Sequence, residues 1–351
     1  MFLSPNLNGG MDQMNRRIND SIIRECPNIR TFNLATHGPL FISILLYPIR
    51  LIYFATLLLF HRIDICHIHL AAKGSTWRKM GFSIVSRLLS VPFVIHLHGS
   101  QYREFFSKLP RPFASLVRSF FANASKIIVL GKIWENYVLN EIYVNNDEVV
   151  ILPNAVIGPD KGNLGKKTYD PQHILFLGCL GDRKGTPELL SALASPKLAN
   201  LSWNATLAGD GEVSKYRKLI KKLGLNNRVT LTGWIRQKEV SRLLERSTIL
   251  ALPSHAENLP LSMLEGMAHG LCPVITPVGA VKDVIRNGEN GILVPIGDVD
   301  QLANSLAHLL ENPDVCRKLA EAARIDFEKH YDFRHYHKKL SAIYTGVLSE
   351  D

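Results

Sequence analysis

The sequence lacks the marks of several protein classes. Its five cysteines, Cys26, Cys66, Cys179, Cys272 and Cys316, are scattered, with no C-x-x-C pair and no histidine at zinc-finger spacing. That excludes a disulfide framework and a finger-type zinc site, and predicts reduced core thiols. No charged and apolar leader opens the chain, because Met1 to Pro5 runs straight into Asn8-Gly9-Gly10; no cleavable signal peptide is predicted, and a cytoplasmic protein is expected. No G-x-G-x-x-G with a following acid marks a dinucleotide-dependent dehydrogenase. The basic residues carry none of the modules that read bases, so no nucleic-acid partner is predicted. Acids are nearly missing between residues 50 and 132, where twelve Lys or Arg face only Asp64 and Glu104, an excess equal to the whole chain's net charge of +10.

The longest apolar run, Leu40 to Phe60, is 21 residues and nominally long enough to span a bilayer. Pro48 and Arg50 sit near its middle, and a central Arg costs about 2.5–3.5 kcal/mol on the most lenient insertion scale. A helix buried in the protein or lying on a membrane surface is the expectation.

The chain has 351 residues, 46% of them apolar and 21% charged, which predicts two globular domains. Short β-type runs recur with room for helices between them: Ile63 to Ile68, Phe93 to Leu97, Lys126 to Leu130, Val149 to Leu152, His173 to Leu177, Trp203 to Ala208, Arg228 to Leu231, Thr248 to Leu252, Pro273 to Ile275 and Gly291 to Val294. Helical patterns fall at Arg78 to Leu89, Pro187 to Leu193, Ser214 to Leu223 and Gln237 to Leu244. Such alternation means parallel sheets covered by helices, an α/β fold. Alternation stops where Gly, Pro and Lys accumulate around Asn163 to Lys167. The predicted organisation is residues 1–155 as the first domain, 156–172 as linker, 173–330 as the second domain, and 331–351 as a closing helix that packs back toward the first domain.

Chemistry concentrates in a few loops. The run from Pro253 to Gly270 opens after a strand, and Pro260 suits the first turn of a helix. Free amides of that turn would face the crevice beyond the strand ends, where a phosphate or sugar can sit. Glu257 precedes the helix and Glu265 lies about one and a half turns inside it, so two carboxylates can grip two parts of one ligand. Eight-residue spacing alone is the ordinary spacing of solvated helix charges.

The whole run resembles the signature of glycosyltransferase family 4, in which a Glu is followed by seven residues and a second Glu, between "P-S" and "E-x-M-A-x-G". The likeness continues through Pro273-Val274-Ile275-Thr276 to Asn287-Gly288-Glu289-Asn290-Gly291. It implies a GT-B fold, two Rossmann-like domains facing each other across a cleft, and a retaining transferase that takes its sugar from a nucleotide diphosphate of UDP or GDP type. By the same resemblance Glu257 contacts hydroxyls of the donor sugar and Glu265 those of the ribose, while amides in the stretch Asn258-Leu259-Pro260-Leu261 meet the sugar or its phosphate.

In Leu177-Gly178-Cys179-Leu180-Gly181-Asp182-Arg183-Lys184-Gly185 the family reads "G-R-L-x-x-x-K-G", with an Arg and a Lys clamping the diphosphate. Lys184 matches, whereas Cys179 replaces the usual Arg, so half of the clamp is missing or falls to Arg183. Gly10, in Asn8-Gly9-Gly10, resembles the family's N-terminal glycine loop. His98, in His96-Leu97-His98-Gly99, aligns with its active-site histidine near the transferred sugar. His67 and His69 fit a strand of the acceptor domain. Trp234 falls where such enzymes pass backbone beside the nucleotide base. Asp298-Val299-Asp300 looks like a metal-binding D-x-D but precedes a helical period, where Asp serves as a cap; no catalytic metal and no further cofactor are predicted.

A sugar-nucleotide epimerase of the same architecture and a non-catalytic membrane-associated homologue are the alternatives, and the two-glutamate signature fits the first poorly. The basic first domain, with cations interleaved among Trp77 to Met80, Tyr102 to Phe106 and Lys108 to Phe121, predicts peripheral contact with anionic lipid at the inner face of the cytoplasmic membrane. The acceptor predicted from it is a lipid-linked saccharide in surface-polysaccharide synthesis.

Overall fold

The computed structural model describes residues 2–4, 18, 31–35, 45–60, 63–159 and 172–349. The chain forms two compact units: residues 1–154 with 335–351, and residues 155–334.

In the first unit six parallel strands, β1 (Phe2–Ser4), β2 (Asn33–Ala35), β3 (Cys66–Leu70), β4 (Phe93–Leu97), β5 (Lys126–Val129) and β6 (Val149–Ile151), lie in the order β2-β1-β3-β4-β5-β6. Strands β3 and β4 are buried along their whole length, as strands covered by helices on both faces must be. They pair in register with His69 opposite His96. Helix α1 (Tyr47–Phe60) packs through Phe54 and Tyr47 on Phe82 of α2 (Gly74–Leu88), with ring centroids 5.1 and 5.7 Å apart. Helices α3 (Tyr102–Ser107), α4 (Arg111–Ala122) and α5 (Lys132–Tyr137) also belong to the unit, and its last segment comes from α12 (Phe333–Ser349).

The second unit repeats the plan: β7 (Gln172–Leu177), β8 (Trp203–Ala208), β9 (Val229–Gly233), β10 (Ile249–Leu252), β11 (Cys272–Ile275) and β12 (Ile292–Leu293) form one parallel sheet in the order β12-β11-β10-β7-β8-β9. Its helices are α6 (Thr186–Leu193), α7 (Val213–Lys222), α8 (Gln237–Arg246), α9 (Leu261–Ala268), α10 (Val299–Glu311) and α11 (Pro313–His330).

Several expectations need correction. The strand read from Ile63 begins at Cys66 and runs to Leu70, so both His67 and His69 belong to it. The division falls at Asn154/Ala155, and the segment expected to start the linker is pinned instead. Val156 donates its N–H to Tyr331 O and accepts from Phe333 N, at 3.1 and 2.9 Å, and is fully buried. Residues 160–171, the core of the predicted linker, lie outside the described residues. Cys66, Cys272 and Cys316 are core thiols, but Cys179 is exposed. Pro260 takes the N-cap position of α9, one residue before the turn expected for it. Asp298 caps α10, accepting from Gln301 N at 2.8 Å. Among the described residues no helix is long and apolar enough to cross a membrane.

Candidate functional site

The strand order of the second sheet reverses between β7 and β10, so the loops after these neighbours diverge and leave a crevice at their C-terminal ends. Both sequence motifs sit there. The loop after β7 carries Arg183 and Lys184 in a single 3-10 turn; the loop after β10 carries Glu257 to Pro260 and leads into α9.

The two loops are tied side by side. Lys184 Nζ donates to Glu257 Oε1, with both side chains close to nine-tenths buried. Arg183 NH1 donates to Ala256 O at 3.0 Å and lies 3.9 Å from Glu257 Oε1, half-exposed. Arg183 O accepts from His255 N at 2.9 Å, and His255 Nε2 meets Glu188 Oε1 of α6 at 2.7 Å. One carboxylate thus faces two cations in an enclosed corner, where each charge is worth more than on the open surface.

Glycine makes this approach possible. Gly185 stands at φ +69°, and a Cβ there would collide with Pro253 O; an L side chain fits neither the conformation nor the space. Gly279, at φ +55°, lets its loop lie against the carbonyls of Glu257 and Asn258, and Ala280 N donates to Asn258 O at 2.7 Å. Asn258 and Leu259 are buried, and Leu261 starts α9 half-buried. Glu265 is half-buried on the same helix, which packs tightly on β10 through Gly266, where an added Cβ would stand 2.7 Å from Leu250 Cδ2.

The structure therefore brings Arg183 and Lys184 against Glu257, with Asn258, Leu259, Pro260 and Leu261 continuing the same loop into α9, the helix that carries Glu265. Trp234, after β9, is 66% exposed and far along the sheet order from β10. Cys179, in place of the family's Arg, faces Asp210; partial burial and that carboxylate raise its thiol above the ordinary range, so it supplies no charge at neutral pH. Gly10 lies outside the described residues.

In the first unit His98 stands just past β4 within a cluster the sequence reading passed over. The rings of His67, His69, His96 and His98 line one face of β3 and β4. His67 Nδ1 meets Tyr344 Oη of α12 at 2.6 Å, His67 Nε2 meets His96 Nδ1 at 3.1 Å, and His69 Nδ1 meets His98 Nε2 at 2.9 Å. Burial, then mutual repulsion, holds His67, His69 and His96 well below the usual histidine range. Enclosure and the Lys79 ammonium hold His98 down to about 3. Lys79, fully buried, donates to His69 O and to Ser75 Oγ, and burial lowers it to about 7. The missed signal was the two-residue period of His-Ile-His and His-Leu-His, which puts both pairs on one sheet face.

His67, His69 and His96 bring ring nitrogens within 4.8 Å of one another, a group able to hold a metal ion. Hydrogen bonds nevertheless occupy both nitrogens of His67. Both are thereby committed to Tyr344 and His96, which leaves no lone pair of that ring for an ion.

The family model described as "Glycosyl transferases group 1" matches residues 163–326, and "Glycosyl transferase 4-like domain" matches residues 27–155. The alpha-D-kanosaminyltransferase of Streptomyces kanamyceticus is 24% identical over 300 residues, covering 80% of this chain and 77% of its own. The UDP-Gal:alpha-D-GlcNAc-diphosphoundecaprenol alpha-1,3-galactosyltransferase of Escherichia coli is 25% identical over 265 residues, 71% and 67% of the two chains. Among solved structures, Anabaena HepE in complex with UDP and glucose superposes with a TM-score of 0.77 at 18% identity, over 98% of each chain. The two sheets are thus those of a GT-B fold, and the chain belongs to the group 1, or family 4, glycosyltransferases.

Proposed function

We propose that the protein is a retaining transferase that moves a sugar from a UDP- or GDP-sugar to a lipid-linked saccharide during surface-polysaccharide synthesis. The observation that carries the reading is the Lys184–Glu257 pair at the switch point of the second sheet. A diphosphate beside Lys184 replaces a carboxylate as its counter-charge, which frees Glu257 to accept hydrogen bonds from sugar hydroxyls. Glu265, one helical stretch further, would hold the ribose. In the transfer the bond between the anomeric carbon and the phosphate oxygen breaks, and a bond to the acceptor oxygen forms on the same face. The acceptor's proton passes to the leaving phosphate, whose charge Lys184, Arg183 and the amides of the 258–261 stretch stabilise. No metal is required in this scheme, because cations and amides already carry that charge.

The E. coli relative named above acts on a diphosphoundecaprenol-linked sugar, which supports a lipid-linked acceptor here. So does α1. Its exposed side carries Ile49, Ile52, Tyr53, Leu59 and Phe60 at helical spacing, with exposed Leu45 just before it, an apolar stripe on the surface where water would ordinarily select charge. Arg50, Lys73, Arg78 and Arg87 lie in the surrounding sequence against the single acid Asp64. An apolar stripe in a basic stretch of sequence fits peripheral attachment to anionic lipid at the inner face of the cytoplasmic membrane. The cations of α3 and α4 contribute less than their number suggests: Arg103 pairs with Glu141, Lys108 with Glu104, and Arg118 rests on the rings of Phe106 and Tyr143.

Incubating the protein with a panel of nucleotide sugars, with and without a polyprenyl-diphosphate-linked saccharide, tests the reading. Sugar incorporation into the lipid fraction with unchanged anomeric configuration is expected; conversion of the nucleotide sugar without acceptor would identify an epimerase instead.

A further inference from the structure

The four imidazoles form an ordered stack in which the roles of the His67 and His96 nitrogens follow from their neighbours. A neutral imidazole has one N–H and one lone pair. Tyr344, whose phenol burial keeps protonated, has a hydroxyl to donate, and its partner is His67 Nδ1. If Tyr344 donates, His67 Nε2–H donates to His96 Nδ1 and His96 carries its proton on Nε2. The opposite polarity would strand the phenol proton as well as a His96 lone pair, so the first leaves fewer buried groups unmet. The His96 ring is thereby fixed, and His98 lies over it with centroids 4.0 Å apart. On its other side His98 stacks on His69 at 5.0 Å and shares the 2.9 Å hydrogen bond between His69 Nδ1 and its own Nε2. His69 is itself held by β3 and by Lys79, which grips its carbonyl.

The consequence for His98 is a choice between its nitrogens. Nε2 is engaged inside the stack, and among the described residues no hydrogen bond reaches Nδ1, on a residue that keeps part of its surface exposed. We propose that His69 is a positioning residue that pins His98 through Nε2, so that Nδ1 is the atom presented to the sugar, in one fixed tautomer. This inference rests on the reading of His98 as the residue beside the transferred sugar. The groups facing His98 are His96 from β4, His69 from β3 and Lys79 from α2.

Histidine-selective ¹⁵N labelling of the full chain gives the direct measurement, because protonated and unprotonated ring nitrogens differ widely in chemical shift. Wild-type His98 is expected to show a single tautomer, and His69→Leu a mixture. In kinetics His69→Leu should lower kcat about tenfold to a hundredfold, the usual effect of a misplaced group in an active site, with the KM for nucleotide sugar altered less than about threefold. His69→Asn, whose amide can stand in for Nδ1, should recover most of the loss. A tautomer mixture in the wild-type protein overturns the inference without any variant, which covers the case of a His69→Leu protein that does not fold. It also fails if His69→Leu keeps wild-type kcat, or if Asn is as poor as Leu. Those outcomes differ from failure of the underlying reading: wild-type turnover by His98→Ala removes His98 from the site altogether.

Discussion

Lys184 Nζ is hydrogen-bonded to Glu257 Oε1, although 73 residues separate them in the chain. The pair joins the loops after two adjacent strands whose connections leave in opposite directions. The ammonium and the carboxylate therefore neutralise each other; in the proposed scheme the first turns to a diphosphate and the second to a sugar.

Glu257→Ala is expected to lower transfer by at least a hundredfold, the scale of losing one transition-state contact, while circular dichroism stays that of the wild type. The variant leaves Lys184 without its counter-charge in an enclosed place, so its melting temperature should drop in buffer and rise more steeply than wild type when UDP or GDP is added. Near-normal turnover would remove Glu257 from the site.

Lys184→Ala should weaken nucleotide diphosphate binding and also reduce kcat, because the ammonium faces negative charge in both the ground and the transition state. A tenfold loss of affinity corresponds to about 1.4 kcal/mol, and isothermal titration with the nucleotide diphosphate reads it directly. Unchanged affinity would contradict the placement.

The histidine stack makes stability pH-dependent. Each ring has a folded pKa below its unfolded value near 6.5. As pH falls below that value the unfolded chain takes up protons that the folded chain refuses, so stability present at neutral pH is lost toward acid. The slope is up to about 1.4 kcal/mol per pH unit for each such group. Urea unfolding at pH 7 and pH 5 should show a shallower loss in His96→Gln than in the wild type, by one proton's worth. An identical slope would mean that His96 is protonated inside the fold.

Flotation with anionic vesicles should recover the wild-type protein at low salt and less of it at high salt. Ile49→Glu combined with Ile52→Glu is expected to abolish recovery, since both side chains are more than three-fifths exposed at 61% and 66% and support no core. Charge reversal at Arg103 and Lys108 should matter less, because each already has an acid partner. Recovery insensitive to both changes would turn attention to another face.

Transfer should survive an excess of EDTA. Loss of activity that Mg²⁺ or Mn²⁺ restores would give a metal a place in the chemistry that the proposed scheme does not need.

By itself the sequence determined the α/β class, the two-domain plan and which loops of the second unit carry the candidate residues. Parallel strands buried on both faces must be short apolar runs, and close backbone approaches such as Gly185 and Gly279 need glycine, so both leave a local signature. It also located Glu257, Lys184 and the stretch 258–261, because each is tied to a strand end and a helix start. Tertiary structure decided what depends on distant partners. Only folding pairs Lys184 with Glu257 and sets Cys179 beside Asp210 rather than in a core. The fate of Val156, bridged to Tyr331 and Phe333 instead of opening a linker, likewise depends on chain about 175 residues away. The histidine stack needed most: the register of β3 against β4, a lysine from α2 and a tyrosine from α12. Imidazole roles follow from which nitrogen meets which neighbour, and nothing in a two-residue repeat states that.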